Sequence, residues 1–101
     1  MKQIINGKKY DTETARPICS YQYAAPNDFS YCYEELYLKK TGEFFLYGEG
    51  GTMSKYAVNV EQNTWRGGKK ITPITKREAL RFAEEYMSVD DYEKEFGQVQ
   101  E

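Results

Sequence analysis

The sequence predicts an α+β domain: a small antiparallel β-sheet, a short N-terminal helix, and C-terminal helices packed on one face of the sheet. Three observations carry that expectation. Asn6-Gly7 lies between two short strand-like runs, and Lys40-Thr41-Gly42 lies between two aromatic-rich ones, so the chain offers two hairpins. The sequence after Thr75 spaces its apolar residues as one face of a helix does. At 101 residues, 40% of them hydrophobic, residues 1–101 are expected to form one domain without repeats or low-complexity tracts.

Residues 1–25 are read as a hairpin and a short helix. Asn6-Gly7 tolerates the two positive φ angles of a type I′ turn. Asp11, Thr12 and Thr14 then offer N-caps for a helix over 12–22, in whose first turn Pro17 costs no hydrogen bond. Ala25-Pro26-Asn27-Asp28 makes a turn.

The antiparallel sheet is expected over residues 29–74. Tyr31 to Lys39 pairs with Glu43 to Tyr47, and Gly48-Glu49-Gly50-Gly51 is read as a turn that needs positive φ and breaks the strand. Residues 52–60 fit either a strand or a helical turn. Trp65-Arg66-Gly67-Gly68 turns the chain again, and Lys69 to Ile74 forms a last strand whose Pro73 suits a sheet edge.

Helices are expected over 75–97. Thr75 and Glu78 have capping-box spacing, and Ala79, Leu80, Ala83, Tyr86 and Met87 share one face. Ser88 caps a second helix that runs to Phe96, buries Val89, Tyr92 and Phe96, and stops at Gly97.

The chain has no histidine. Ser-His-Asp triads, Cys-His nucleophile pairs, imidazole metal ligands and imidazole pH switches are therefore excluded. Cys19 and Cys32 match no zinc or redox spacing and are expected as a reduced, buried pair, with a disulfide between them as the alternative. Glu34 and Glu35 are adjacent on a strand and must face opposite sides, so they cannot work as a general acid and base. Gly48-Glu49-Gly50-Gly51 with Lys55 lacks the spacing of a phosphate-binding loop. No enzyme activity, metal or cofactor is expected. The apolar run Met1 to Ile5 is too short for a signal peptide and no window spans a membrane, so the cytoplasm is the expected compartment.

A net charge of −2 conceals a division: residues 1–83 hold thirteen bases and nine acids, whereas residues 84–101 hold seven acids and one base. Glu84, Glu85, Asp90, Asp91, Glu93 and Glu95, with Tyr92 among them, form a candidate partner-binding surface complementary to a basic groove. Its alternative is a solvated helix face. A second candidate set, Tyr31, Tyr33, Tyr37, Trp65, Arg66, Lys69 and Lys70, has the aromatic and basic chemistry of a single-stranded nucleic-acid surface. A pI near 5.3 weighs against it. A third possibility is self-association through the Tyr31–Leu38 strand.

Several strings carry a family resemblance: Ile4-Ile5-Asn6-Gly7-Lys8-Lys9-Tyr10-Asp11-Thr12-Glu13-Thr14-Ala15, Glu35-Leu36-Tyr37, Phe45-Leu46-Tyr47-Gly48-Glu49-Gly50-Gly51, Met53-Ser54-Lys55-Tyr56, and Trp65 followed by Gly67-Gly68-Lys69-Lys70-Ile71. Through about residue 85 the chain resembles a small-protein family of Gram-positive bacteria, their phages and mobile elements that includes candidate anti-CRISPR inhibitors. The resemblance implies a non-enzymatic protein that binds a bacterial CRISPR effector nuclease and blocks its nucleic-acid-binding surface, acting as a monomer or small homo-oligomer. The alternative is a small single-stranded nucleic-acid-binding accessory protein of a phage or mobile element. The resemblance transfers no site residues.

Overall fold

The computed structural model describes residues 1–100. It begins with a hairpin of β1 (Lys2–Ile5) and β2 (Lys8–Asp11), turned by Asn6 and Gly7 at φ 51° and 78°. A four-stranded antiparallel sheet follows in the order β3-β4-β5-β8, from β3 (Arg16–Tyr23), β4 (Cys32–Leu38), β5 (Phe44–Gly50) and β8 (Gly68–Ile74). Between β5 and β8 the chain makes a separate hairpin, β6 (Val58–Glu61) and β7 (Thr64–Arg66). Helices α1 (Lys76–Tyr86) and α2 (Val89–Phe96) close the fold. No helix among the described residues is long and apolar enough to cross a membrane.

The alternation of side chains across the strands builds two apolar layers. On one face, Tyr37, Phe45 and Ile71 pack with Tyr10 and Ala15 under the β1–β2 hairpin; the Tyr37 and Phe45 rings stack at 5.1 Å and Tyr10 meets Phe45 edge-on at 5.5 Å. On the other, Leu36 and Phe44 pack with Ala79 and Ala83 of α1, and Phe82, Tyr92 and Phe96 complete the layer. The small Ala79 and Ala83 let α1 approach the sheet closely. Thr75 and Glu78 form the expected capping box, and Ser88 accepts a hydrogen bond from the Asp91 N–H. Gly97 ends α2 at φ 95°.

The α+β class and the helical layer agree with the sequence, but the N-terminal helix does not exist. Asp11 instead closes a single turn, accepting the Glu13 N–H at its carboxylate and the Ala15 N–H at its carbonyl. Residues 16–23 then pair with β4, so the large sheet begins at Arg16 rather than at residue 29. Ile, Cys and Tyr favour that pairing, and Pro17 sits where an edge strand tolerates a missing N–H, beside the register shift between Pro17 and Cys19.

Three further expectations change. β5 does not break at Gly48 but runs to Gly50, and neither Gly48, Gly50 nor Gly51 has positive φ. These glycines make room: a Cβ at Gly48 would overlap the Tyr56 ring, and one at Gly50 the Ser54 side chain. Trp65 and Arg66 belong to β7 rather than to a turn. Val89 is 74% exposed, not buried.

Candidate functional site

The acidic surface is organised by the tight junction of α1 and α2. Met87 and Ser88 alone separate the helices, so the last turn of α1 and the first turn of α2 present their side chains together. Glu84 and Glu85 lie at the C-terminal end of α1, which has no base in its last turn, and Asp90 and Asp91 lie in the first turn of α2. All four are exposed, and among the described residues none is ion-paired. Asp90 and Asp91 suit the positive end of a helix dipole, whereas Glu84 and Glu85 face the negative end of theirs, at a cost of about 0.3–1 kcal/mol each.

The other predicted members of this set have partners within the chain. Glu95 takes both guanidinium nitrogens of Arg16 at 2.6 Å, which ties α2 to β3. The Arg16 hydrogen bond holds the Glu95 carboxyl below its ordinary range. Glu93 accepts the Val99 N–H at 3.2 Å. Tyr92 is half-buried and packs on Phe96 at 5.1 Å.

A small apolar depression lies beside the junction. Met87, Val89, Tyr92 and Val99 line a hollow of about 240 Å³, with Glu84 and Glu93 at its rim. An apolar centre inside a charged rim is the anatomy of a protein-binding patch. Sequence reasoning missed Val89 as a surface residue because it fits the apolar helical pattern, whereas Met87 is half-buried and also packs against the Leu36–Ala83 layer. The available signal was position: Val89 opens α2 at the junction, a turn before the residues that meet the sheet.

The nucleic-acid candidates are split by the fold. Tyr33, Glu49 and Lys69 are directly opposite across β4, β5 and β8, on the face that carries the β1–β2 hairpin. Tyr37 is on that face too but buried beneath the hairpin. Lys70 is opposite Gly48 and points to the other side. Trp65 and Arg66 project from the separate hairpin, with Trp65 53% exposed. Arg66 and Lys69 do meet Tyr31, Tyr47 and Glu49 around a cleft of about 640 Å³.

Two carboxylates occupy the rings on this face. Glu35 accepts the Tyr33 and Tyr37 hydroxyls at 2.8 and 3.0 Å, and Glu49 accepts those of Tyr31 and Tyr47 at 3.0 and 2.5 Å. Burial, then the neighbouring carboxylate, pushes the Tyr37 hydroxyl up to about 12 and the Tyr47 hydroxyl higher still.

Glu34 faces the helical side, opposite to Glu35 as expected for neighbours on a strand. It is 6% exposed, and its Oε2 accepts both the Tyr56 hydroxyl at 2.5 Å and the Lys55 ammonium at 2.7 Å. This bonding places Tyr56 over Gly48 and locks the 51–57 turn to the sheet. Cys19 and Cys32 are free but only half-buried, not buried as expected. They align with Leu36 and Tyr23, four ladder positions apart. That is roughly 13 Å of strand, well past the ~7 Å limit for a disulfide.

No protein-family model, curated protein or solved structure matches the chain.

Proposed function

We propose that the chain is a non-enzymatic, protein-binding inhibitor that sets its α1–α2 junction against a basic, nucleic-acid-binding surface of its partner. The partner class that the sequence resemblance suggests is a bacterial CRISPR effector nuclease, met in the host cytoplasm. The observation that carries this reading is the junction itself. Four exposed carboxylates cluster at the junction, two of them at the unfavourable end of a helix, and one of these, Glu84, stands with Glu93 at the rim of an apolar hollow that contains Val89. Such a surface imitates the charge of a nucleic-acid backbone while offering an apolar anchor.

The experiment is capture from a lysate of a CRISPR-bearing Gram-positive host, followed by mass spectrometry. The native protein is expected to retain an effector nuclease. A variant with Glu84→Gln, Glu85→Gln, Asp90→Asn and Asp91→Asn is expected to release it. Equal retention by both proteins would refute the acidic-junction mechanism.

One observation favours single-stranded nucleic-acid binding: Arg66 and Lys69 line the 640 Å³ cleft, and Trp65, next to Arg66 on β7, is exposed. This remains the weaker reading, because Glu35 and Glu49 put negative charge among the rings that bases would stack on. A salt-sensitive shift of labelled single-stranded DNA, lost on Lys69→Ala, would restore it.

A further inference from the structure

The cleft of about 640 Å³ holds an uneven set of charges. Among the described residues, three charged side chains line it: Arg66 from the end of β7, Lys69 from the start of β8, and Glu49 from β5. Lys69 is directly opposite Glu49 in the ladder, a position from which opposite charges pair. They do not pair here. Tyr47 donates its hydroxyl to one Glu49 oxygen at 2.5 Å, and Tyr31 donates to the other at 3.0 Å. Neither Arg66 nor Lys69 has an ion-pair partner among the described residues. Both are exposed, so an incoming anion meets them without displacing another group.

The rest of the lining suits a compact ligand with an apolar part. Gly50, Gly51, Gly67 and Gly68 contribute backbone without filling the space, and Pro26 and Val58 add apolar surface. The bonds to Glu49 hold the Tyr31 and Tyr47 rings in place. The volume lies within the ~300–1,000 Å³ of small-molecule sites, which are largely formed before the ligand arrives.

Charge decides the class. Two cations, Arg66 and Lys69, less one carboxylate, Glu49, leave the lining at a net +1, which a single negative group neutralises. A phosphate monoester, at about −1.5 to −2, overshoots. A polyanionic strand brings further charges toward Glu49. We infer that this cleft binds a small organic carboxylate, its carboxyl group on Arg66 and Lys69 and its apolar body against Pro26 and Val58. The arginine fork matches two carboxylate oxygens, and the lysine adds a point charge. The site is independent of the protein-binding reading, because none of Glu84, Glu85, Asp90 and Asp91 lines it.

Benzoate is the probe, titrated at millimolar concentration into the full chain labelled with nitrogen-15 and followed by amide chemical shifts. It is expected to shift Gly50, Gly51, Gly67 and Gly68 saturably. Benzamide, which keeps the shape without the charge, and phenyl phosphate are each expected to bind at least about fivefold more weakly. Arg66→Gln with Lys69→Gln is expected to weaken benzoate at least about tenfold. Lys70→Gln, on the other face of β8, is expected to change it less than about twofold.

No saturable shift at these glycines, equal binding of benzamide, tighter binding of phenyl phosphate, or undiminished binding by the double variant would each overturn the inference. So would single-stranded DNA that shifts the same glycines at lower concentration than benzoate, since that marks a site for a polyanion. Cleft shifts that appear on concentrating the native chain, but not the variant with the neutralised junction, would overturn it too. The occupant would then be the acidic junction of a second copy.

Discussion

Tyr56 occupies the space that a side chain at residue 48 would fill, and from there its hydroxyl reaches the buried Glu34 carboxylate. Replacing Tyr56 with Phe removes one of two donors to that oxygen and is expected to cost about 1.5–3 kcal/mol. Gly48→Ala displaces the whole ring and is expected to cost about as much or more. Urea denaturation reads both, and an unchanged midpoint for Gly48→Ala would show that the ring does not need this glycine. The sequence made the glycines visible but not their purpose, because freedom of φ and absence of a side chain leave the same letter. Only the pairing of β5 with β8, and the return of the 51–57 turn over it, distinguishes the two.

The Tyr–Glu contacts fix a pH dependence at the same scale. Burial and adjacent carboxylates raise the Tyr31, Tyr33, Tyr37, Tyr47 and Tyr56 hydroxyls above the ordinary value of 10.0. A group whose folded value lies above its unfolded value stabilises the fold fully below the unfolded value and ceases to do so above the folded one. Stability is therefore expected to fall as the pH rises above about 10 and through the region near 12 where Tyr37 titrates. Ultraviolet titration should show these five hydroxyls ionising late, together with loss of the fold. A single phase near 10 for all ten tyrosines would contradict these contacts.

Among the elements, the helices were the most legible. Local signals specify them: Thr75 and Glu78 cap α1 reciprocally, and the 3.6-residue pattern marks its buried face. Thr75→Ala is expected to lower stability by about 1 kcal/mol in thermal or urea unfolding. A loss near zero would mean that packing through Ala79 and Ala83 alone holds the helix. β4 and β5 were legible as well, since their aromatic runs flank a glycine turn. β3 was not. Asp11, Thr12 and Thr14 are good helix caps, and nothing local reveals that seven residues of Arg16–Tyr23 find partners on β4, nine to twenty-two positions away in the chain. That pairing also makes β4 an interior strand, so Tyr31–Leu38 offers no edge for self-association.

Across the whole molecule, the charge division read from the sequence becomes spatial. The acidic tail folds into one layer over one face of the sheet, while Lys69, Arg66 and Trp65 lie around the opposite face and the β6–β7 hairpin. The candidate surface was legible as a set of acidic positions, but its composition was not. Arg16 consumes Glu95 from a distance of 79 residues, and Glu93 accepts the Val99 N–H at the rim of the hollow. Val89 joins the surface instead of the core. What remains is smaller and more specific: Glu84, Glu85, Asp90 and Asp91 exposed at the junction, with Glu84 at the rim of an apolar hollow.

Competition for nucleic acid tests this account most directly. A purified CRISPR effector nuclease is titrated with labelled target DNA in the presence of the native chain or of the variant with Glu84→Gln, Glu85→Gln, Asp90→Asn and Asp91→Asn. The native chain is expected to weaken DNA binding at least about tenfold, equivalent to ~1.4 kcal/mol, and the effect should shrink as salt screens the junction. The neutralised variant, folded as judged by circular dichroism, should leave DNA binding unchanged. Equal competition by both proteins at low and high salt would contradict the claim that the acidic α1–α2 junction is the inhibitory surface.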